Sequence, residues 1–185
     1  MNPRPGFLRL SAPCALAWLT ACAGGPSPSA PAVVVPDKLR APADQTLLRT
    51  LSADGVQIYE CRAKAGAAAA EPEWVFVAPE ARLFDAQGTW VGKHYAGPTW
   101  EAADGSRVVG TVTAKVDAPG SGAIAWLLLA THSTGRAGLF SQVASIQRVA
   151  TVGGAAPATG CSAATLGQTA RVPYSAQYVQ YAKTF

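Results

Sequence analysis

Turn-forming residues that interrupt short apolar runs restrict the fold of this chain more than any other feature. The stretch from Gly88 to Gly110 reads GTWVGKHYAGPTWEAADGSRVVG and contains the turn dipeptides Gly97-Pro98 and Asp104-Gly105. Glycine accepts positive φ and proline holds φ at about −65°, so both dipeptides favour tight reversals of the chain. The 18 glycines and 14 prolines extend this pattern through the sequence. Such frequent reversals predict short strands that pair antiparallel with their neighbours.

The runs between these turns predict about seven strands. In Arg107–Asp117, the clearest of them, small or apolar residues alternate and are expected to face inward: Val108, Gly110, Val112, Ala114 and Val116. Ala123–Ala130 is apolar throughout and fits a strand buried on both faces. Short strands without long helices between them predict an all-β fold, an antiparallel β-sandwich or barrel. We expect a single domain, with room for short helical segments.

Three local predictions follow from turn chemistry and from the two-residue period of a strand. Asp54-Gly55 is expected to form a turn, and Pro79 to end the apolar run Trp74–Val77. In the strand that follows Gly88, the period places a set of three residues on one face: Trp90, Gly92 and His94.

The charge pattern argues against a nucleic-acid partner. Lys and Arg number 15 against 11 Asp and Glu, but Arg4 and Arg9 lie near the N-terminus, in a segment typical of export signals. The remaining basic residues are scattered and form no run, whereas a nucleic-acid interface needs clustered Lys and Arg.

Residues 1–21 predict an export signal, with Arg4 and Arg9 preceding the mostly apolar Leu10–Leu19. Ten residues are too few for a membrane span, which needs about 20. Leu19-Thr20-Ala21-Cys22 resembles a bacterial lipobox. The resemblance implies cleavage before Cys22, palmitate-type acylation of that cysteine and a stable membrane anchor. Cleavage after Ala23 instead gives a secreted or periplasmic protein, since Ala21-Cys22-Ala23 also fits an ordinary signal-peptidase site.

We therefore expect three regions: a signal peptide at 1–21, a lipid anchor and Pro/Ser/Ala-rich linker at 22–37, and one β domain at 38–185. Under lipoprotein sorting rules, alanine at position 23 implies the outer membrane, with the domain facing the periplasm. The predicted location is the cell envelope.

A series of ordered motifs resembles a known family. They are GVQIYEC at 55–61, HYAGPTWE at 94–101, DGS at 104–106, AWLLLA at 125–130, IQRV at 146–149, GGAAPATGC at 153–161 and RVPYSAQY at 171–178. In this order they resemble domain-of-unknown-function family 3455, found in secreted bacterial and fungal proteins, over roughly residues 38–185. The resemblance implies little chemistry. Some fungal members carry a malate dehydrogenase label, but this chain lacks a GxGxxG motif after a strand and the βαβ spacing that a dinucleotide site requires.

Cys61 and Cys161 are the two cysteines of the predicted domain. An exported protein meets an oxidising compartment, so we expect them to form a disulfide. Two buried free thiols are the alternative, and a catalytic Cys–His pair is disfavoured because export oxidises the nucleophile.

The aromatic stretch supplies the candidate site. We expect ligand-binding residues here: Trp90, His94, Tyr95, Trp100, Glu101, Asp104 and Arg107. Rings stack on sugars and other amphipathic ligands, although buried rings also serve as core. No metal-ligand spacing, cofactor motif or GxSxG elbow is present, so we expect no metal, no cofactor and no catalytic residues.

The predicted function is therefore a noncatalytic, lipid-anchored envelope protein that binds a small molecule, a glycan or a protein partner. The alternative is an envelope hydrolase that uses His94 with Asp104 or Glu101.

Overall fold

The computed structural model describes residues 33–64 and 71–184. The strands are β1 (Gln45–Ala63), β2 (Pro72–Phe84), β3 (Trp90–Tyr95), β4 (Thr99–Ala102), β5 (Arg107–Val116), β6 (Trp126–Ser133), β7 (Ser145–Gly153) and β8 (Thr169–Lys183). Each strand pairs antiparallel with the next along the chain, and β8 pairs with β1 to close a barrel. Two short 3-10 helices, Asp37–Leu39 and Ala163–Thr165, complete the described elements. The predicted all-β antiparallel class is confirmed, and the architecture is the barrel.

Apolar side chains from all parts of the sheet fill much of the barrel interior. Fully buried examples from successive strands are Leu51, Leu83, Trp100, Val108, Leu129, Ile146 and Tyr178. An eight-stranded barrel is just wide enough for side chains to fill its interior or for one small ligand to occupy it. How each end is closed therefore decides whether a binding site exists.

The loop between β6 and β7 closes one end of the barrel. Phe140 in this loop is fully buried in the interior cluster. The Phe140 N–H donates to Ser106 Oγ at 2.9 Å, and the Leu139 N–H donates to Asp104 Oδ2 at 2.7 Å. Ser106 Oγ in turn donates to Asp104 Oδ1 at 2.6 Å. Asp104 and Ser106, from the turn between β4 and β5, thus hold Phe140 as a plug.

The segment before β1 covers the outer face of β5, β6 and β7. Leu39 is fully buried against Trp126 and Val149, and its carbonyl accepts a 2.6 Å hydrogen bond from Gln147 Nε2. Leu128 packs in this outer cluster, whereas Leu127 and Leu129 on the same strand face the interior. Strand β6 is therefore buried on both faces, as its apolar sequence predicts. The segment before β1 covers its outer face in place of solvent.

Two of the local predictions are wrong, because each placed a break where the chain continues as a strand. Asp54 and Gly55 lie inside β1, where Gly55 pairs with both Ala81 and Tyr174. A Cβ at Gly55 would overlap the Glu80 carbonyl oxygen, so the glycine permits close strand approach rather than a turn. Pro79 lies within β2, which pairs with β3 only from Ala81 onward. The missing N–H of Pro79 therefore costs no ladder hydrogen bond on that side.

Two β-bulges overturn the predicted facing of other residues. In the β2–β3 pair, Leu83 pairs with Gly92 but Phe84 pairs with Trp90, so β3 has one extra residue between them. Trp90 therefore faces outward and is 51% exposed, while Gly92 and His94 are buried. A second shift falls between Val112 and Ala114. Beyond it Ala114 and Val116 pack in the outer cluster instead of the interior. A bulge adds one residue and so reverses the faces that follow it.

The predicted disulfide is confirmed. Cys61 at the end of β1 is bonded to Cys161 in the β7–β8 connection, with their Cα atoms 5.3 Å apart. Backbone hydrogen bonds from Cys61 N to Gln168 O and from Gly167 N to Cys61 O tie the same segments together. A disulfide indicates an oxidising, extracytoplasmic environment.

The predicted signal, Cys22 and most of the predicted linker lie outside the described residues, and the anchor stays a prediction. Among the residues that are described, no helix has the length and hydropathy of a membrane span. Val33 and Val35, within the stretch predicted as linker, pack against the barrel.

Candidate functional site

The end of the barrel opposite Phe140 is open and contains a cavity of about 520 Å³. The apolar part of the lining is contributed by β2, β5, β6 and the β5–β6 connection: Phe76, Val77, Pro79, Val112, Ile124, Leu127 and Leu129. The polar and aromatic groups of the lining are Gln57, Tyr59, His94, Trp100, Lys115, Arg148 and Tyr178. All eight strands contribute to this lining, so only the closed barrel assembles it.

An aromatic cluster forms one side of the cavity. His94 and Trp100 are cross-strand partners on β3 and β4, and their rings stack with centroids 4.3 Å apart. The Tyr178 ring meets both rings edge-on at 5.1 and 5.4 Å. His94 Nδ1 lies 2.8 Å from the Thr99 carbonyl oxygen. Because a carbonyl only accepts, Nδ1 donates and Nε2 is left as an acceptor.

Burial keeps His94 uncharged. Its side chain is buried, and the loss of solvent lowers its pKa to about 3 despite the opposing hydrogen bond to the Thr99 carbonyl. The nearby Arg148 cation lowers the pKa further. At neutral pH the ring is therefore a neutral wall group and a weak base.

Arg148 places a cation at the cavity. Its Nε and Nη2 atoms donate to the Ala125 carbonyl at 3.1 and 2.8 Å, which fixes the guanidinium at the wall. The Tyr178 hydroxyl lies beside it and shares a 3.2 Å hydrogen bond with Tyr174. Burial raises the pKa of Tyr178 well above its usual value, so that hydroxyl is neutral. Within residues 33–64 and 71–184, no carboxylate lies within 4.0 Å of Arg148.

Two buried N–H groups of the lining have no hydrogen-bond partner among the described residues. They are Nε2 of Gln57 and Nε1 of Trp100, on side chains that are 2% and 1% exposed. Both atoms have almost no accessible surface, so they lie behind the cavity surface and are not in reach of a ligand in the open end.

Comparison with known sequences gives the family. Residues 42–182 match the family described as Protein of unknown function (DUF3455). The chain belongs to the DUF3455 family. No curated protein matches it. The resemblance drawn from the seven motifs is thereby confirmed, and the match spans the whole ring of strands.

Three of the predicted ligand residues of this DUF3455 protein meet on the outside of the barrel. The Tyr95 hydroxyl donates to Glu101 Oε2 at 2.5 Å, and Arg107 Nη1 lies 3.7 Å from the same oxygen. Lys93 Nζ approaches Glu101 Oε1 at 3.3 Å. The Tyr95 hydrogen bond is the main cause of a lowered Glu101 pKa. These groups satisfy one another on the face opposite His94.

The other predicted residues of the DUF3455 protein lie in the cavity, on the outer surface and at the plugged end. His94 and Trp100 line the cavity, whereas Trp90 lies outside. Asp104 holds the plug, and its hydrogen bonds, first that from Ser106, lower its pKa to about 2. In the part of the chain that the structure describes, His94 has no hydrogen bond to Asp104 or Glu101. The seven residues thus do not converge on one cleft.

Sequence reasoning missed five polar or aromatic groups of the DUF3455 cavity: Gln57, Tyr59, Lys115, Arg148 and Tyr178. A signal existed for the first two, because the predicted strand VQIYEC alternates and places Gln57 and Tyr59 on one face. Arg148 stands among apolar residues in IQRVA. An inward arginine in such a strand is recognisable only when its partner strands are known.

Nothing in the described ranges resembles a metal centre. No three His, Cys, Asp or Glu side chains of residues 33–64 and 71–184 lie together as a metal ion requires.

Proposed function

We propose that this DUF3455 protein is an extracytoplasmic binding protein that holds a small molecule in the open end of its barrel. The observation that carries the proposal is the cavity itself, to which all eight strands contribute and which two cationic side chains, Lys115 and Arg148, line. Its volume of about 520 Å³ lies in the range of small-molecule sites, which are mostly apolar with a few convergent polar groups. The lining has this composition.

The chemistry of the lining supports binding rather than catalysis. The described lining residues include no Ser, Thr, Cys, Asp or Glu, the usual nucleophiles and acid–base groups. His94 lies in the wall, but a pKa of about 3 makes it a poor base at neutral pH. Of the residues predicted from sequence, the proposal assigns ligand contact to His94 and Trp100, and stabilising roles to Glu101 and Asp104.

The proposal includes lipid attachment at Cys22 in the cell envelope. Ten residues separate Cys22 from Val33, which is the first residue that the structure describes and is packed on the barrel. These residues are rich in Pro, Ser, Ala and Gly and suit a spacer between a membrane and a binding domain. Mass spectrometry of the mature N-terminus tests this part, and an unmodified start after Ala23 would refute it.

A cavity-filling substitution tests the binding site. Val112 lines the open end and is 49% exposed, so Val112→Trp is expected to fill space without disturbing the core. We expect members of a metabolite and lipid panel to raise the melting temperature of the wild-type protein and not that of Val112→Trp. Val152→Trp is the matched control, because Val152 is a strand valine, 67% exposed, that does not line the cavity. Equal ligand responses in Val112→Trp and wild type would reject the cavity as the site.

A further inference from the structure

We propose that the cavity binds a compact organic monoanion, of the carboxylate class, with its charged group at Arg148 and its apolar body against the aliphatic part of the lining. This inference rests on the proposed binding function and specifies the ligand.

The charges of the lining select against cations. Its ionised side chains are Lys115 and Arg148, both positive, while His94 is neutral. Five other arginines of the described chain lie within 4.0 Å of a carboxylate: Arg40, Arg62, Arg82, Arg107 and Arg171. Arg49, Arg136 and Arg148 have no such partner, and of these three only Arg148 lines the cavity. A partly buried cation without a counter-ion has lost part of its hydration, and an anionic ligand compensates for that loss.

The hydrogen-bonding groups that remain free point the same way. The charged groups of the wall are donors only. They are the ammonium of Lys115 and the guanidinium of Arg148, whose Nη1 N–H groups do not bond Ala125. Carboxylate oxygens accept several hydrogen bonds each, and bonds from a guanidinium are stronger than those between neutral groups. An ammonium or a purely apolar ligand leaves these donors unsatisfied.

The remaining wall requires an apolar body and limits the charge of the ligand. Val112, Ile124 and Leu127 present aliphatic surface, and Trp100 presents an aromatic face. Burying apolar ligand surface here contributes about 25 cal/mol per Å². Arg148 is one fixed cation, whereas Lys115 is on an exposed stretch of β5. One fixed charge matches a monocarboxylate better than a phosphate dianion.

An eight-carbon series separates charge from apolar contact. The probes are octanoate, 1-octanol, octylamine and octyl phosphate, titrated by calorimetry into the full chain carrying Cys22→Ala, which dispenses with detergent. We expect octanoate to bind at least about tenfold more tightly than octanol, the change expected for a charge-assisted hydrogen bond. Octylamine is expected to bind most weakly. Octyl phosphate binding more tightly than octanoate would overturn the monocarboxylate assignment.

Substitutions locate the charge. Arg148→Met is expected to lower the affinity for octanoate to that for octanol. The control is Arg82→Met, which removes an exposed arginine outside the cavity and should leave the preference for octanoate over octanol unchanged. Arg148→Gln is the second variant, because methionine leaves the Ala125 carbonyl without its donors. An octanoate preference that survives both Arg148 variants would overturn the assignment to Arg148.

The wild-type series also separates this inference from the proposed function. Octanol binding as tightly as octanoate, with binding blocked by Val112→Trp, would reject the anion preference and retain the cavity as a binding site. Absence of binding by every probe would overturn the ligand class, and the Val112→Trp panel would then decide the binding function alone.

Discussion

His94 illustrates how the surroundings of one residue decide its chemistry. In the sequence it is a histidine within an aromatic stretch, compatible with a ligand contact or a catalytic base. In the barrel it is 3% exposed, stacked on Trp100 and hydrogen-bonded to the Thr99 carbonyl. The resulting pKa of about 3 makes it a neutral part of the cavity wall.

The depressed His94 pKa predicts a specific loss of stability in mild acid. The pKa is about 3 in the folded protein against 6.5 for the free group, so the unfolded chain binds more protons between these values. Stability is full above pH 6.5 and falls toward pH 3, by up to about 1.4 kcal/mol per pH unit for this group. Urea unfolding at pH 7 and at about pH 4.5 measures the loss in wild type and in His94→Phe, which keeps a ring beside Trp100.

The chosen pH window isolates His94 from Asp104. The Asp104 pKa of about 2 also lies below its free value of 3.8, so its contribution is lost only as the pH falls below 3.8. His94→Phe should therefore show the shallower decline above pH 4.5. Equal declines in both proteins would contradict a neutral buried His94.

At the scale of elements, the β6–β7 loop determines which end of the barrel is open. Phe140 fills the closed end, and Asp104 and Ser106 accept hydrogen bonds from the consecutive backbone N–H groups of Leu139 and Phe140. A turn between two other strands thus holds a loop that would otherwise leave a second opening.

Removing the plug should cost much more stability than removing its neighbour. Phe140→Ala is expected to lower the free energy of unfolding by about 3–5 kcal/mol, the usual cost of deleting a buried phenylalanine. Leu139→Ala keeps the same backbone hydrogen bond and removes a side chain that is 38% exposed, so its cost should be much smaller. Chemical denaturation of both variants measures the difference. Similar losses would mean that Phe140 is not the closing residue.

At the scale of the whole molecule, the pairing of β8 with β1 closes the barrel and brings the first and last strands together. Strand β1 is 19 residues long and pairs with both β2 and β8. The disulfide then links β1 to the segment before β8, across a sequence separation of 100 residues. Segments 100 residues apart are thereby held together near Tyr59, at the open end.

We expect Cys61→Ser to lower the melting temperature in nonreducing buffer. In the chain-entropy account a loop of about 100 residues stabilises by up to about 4.7 kcal/mol. Thermal unfolding with and without reductant measures the effect, and the wild-type protein in reductant should approach the variant. The variant itself should not respond to reductant, which is the control. A wild-type melting temperature indifferent to reductant would refute a stabilising role for the bond.

Sequence alone determined the features that depend on neighbouring residues. Turns at Gly97-Pro98 and Asp104-Gly105 follow from backbone chemistry, and Gly97 and Gly105 have φ of 114° and 83°. The all-β class follows from frequent turns and alternation. The disulfide follows from two cysteines in a domain that the sequence predicts to be exported. Each of these needs only local sequence or composition.

Only the tertiary structure decided the facing of Trp90, the position of Pro79 inside a strand and the assembly of the cavity. A bulge depends on the strand opposite, and a proline is tolerated where the partner strand is short. Gln57, Arg148 and Tyr178 come from β1, β7 and β8, and they meet because the ring closes. The physical reason is that side-chain alternation is local, whereas register and closure are set by contacts between distant segments.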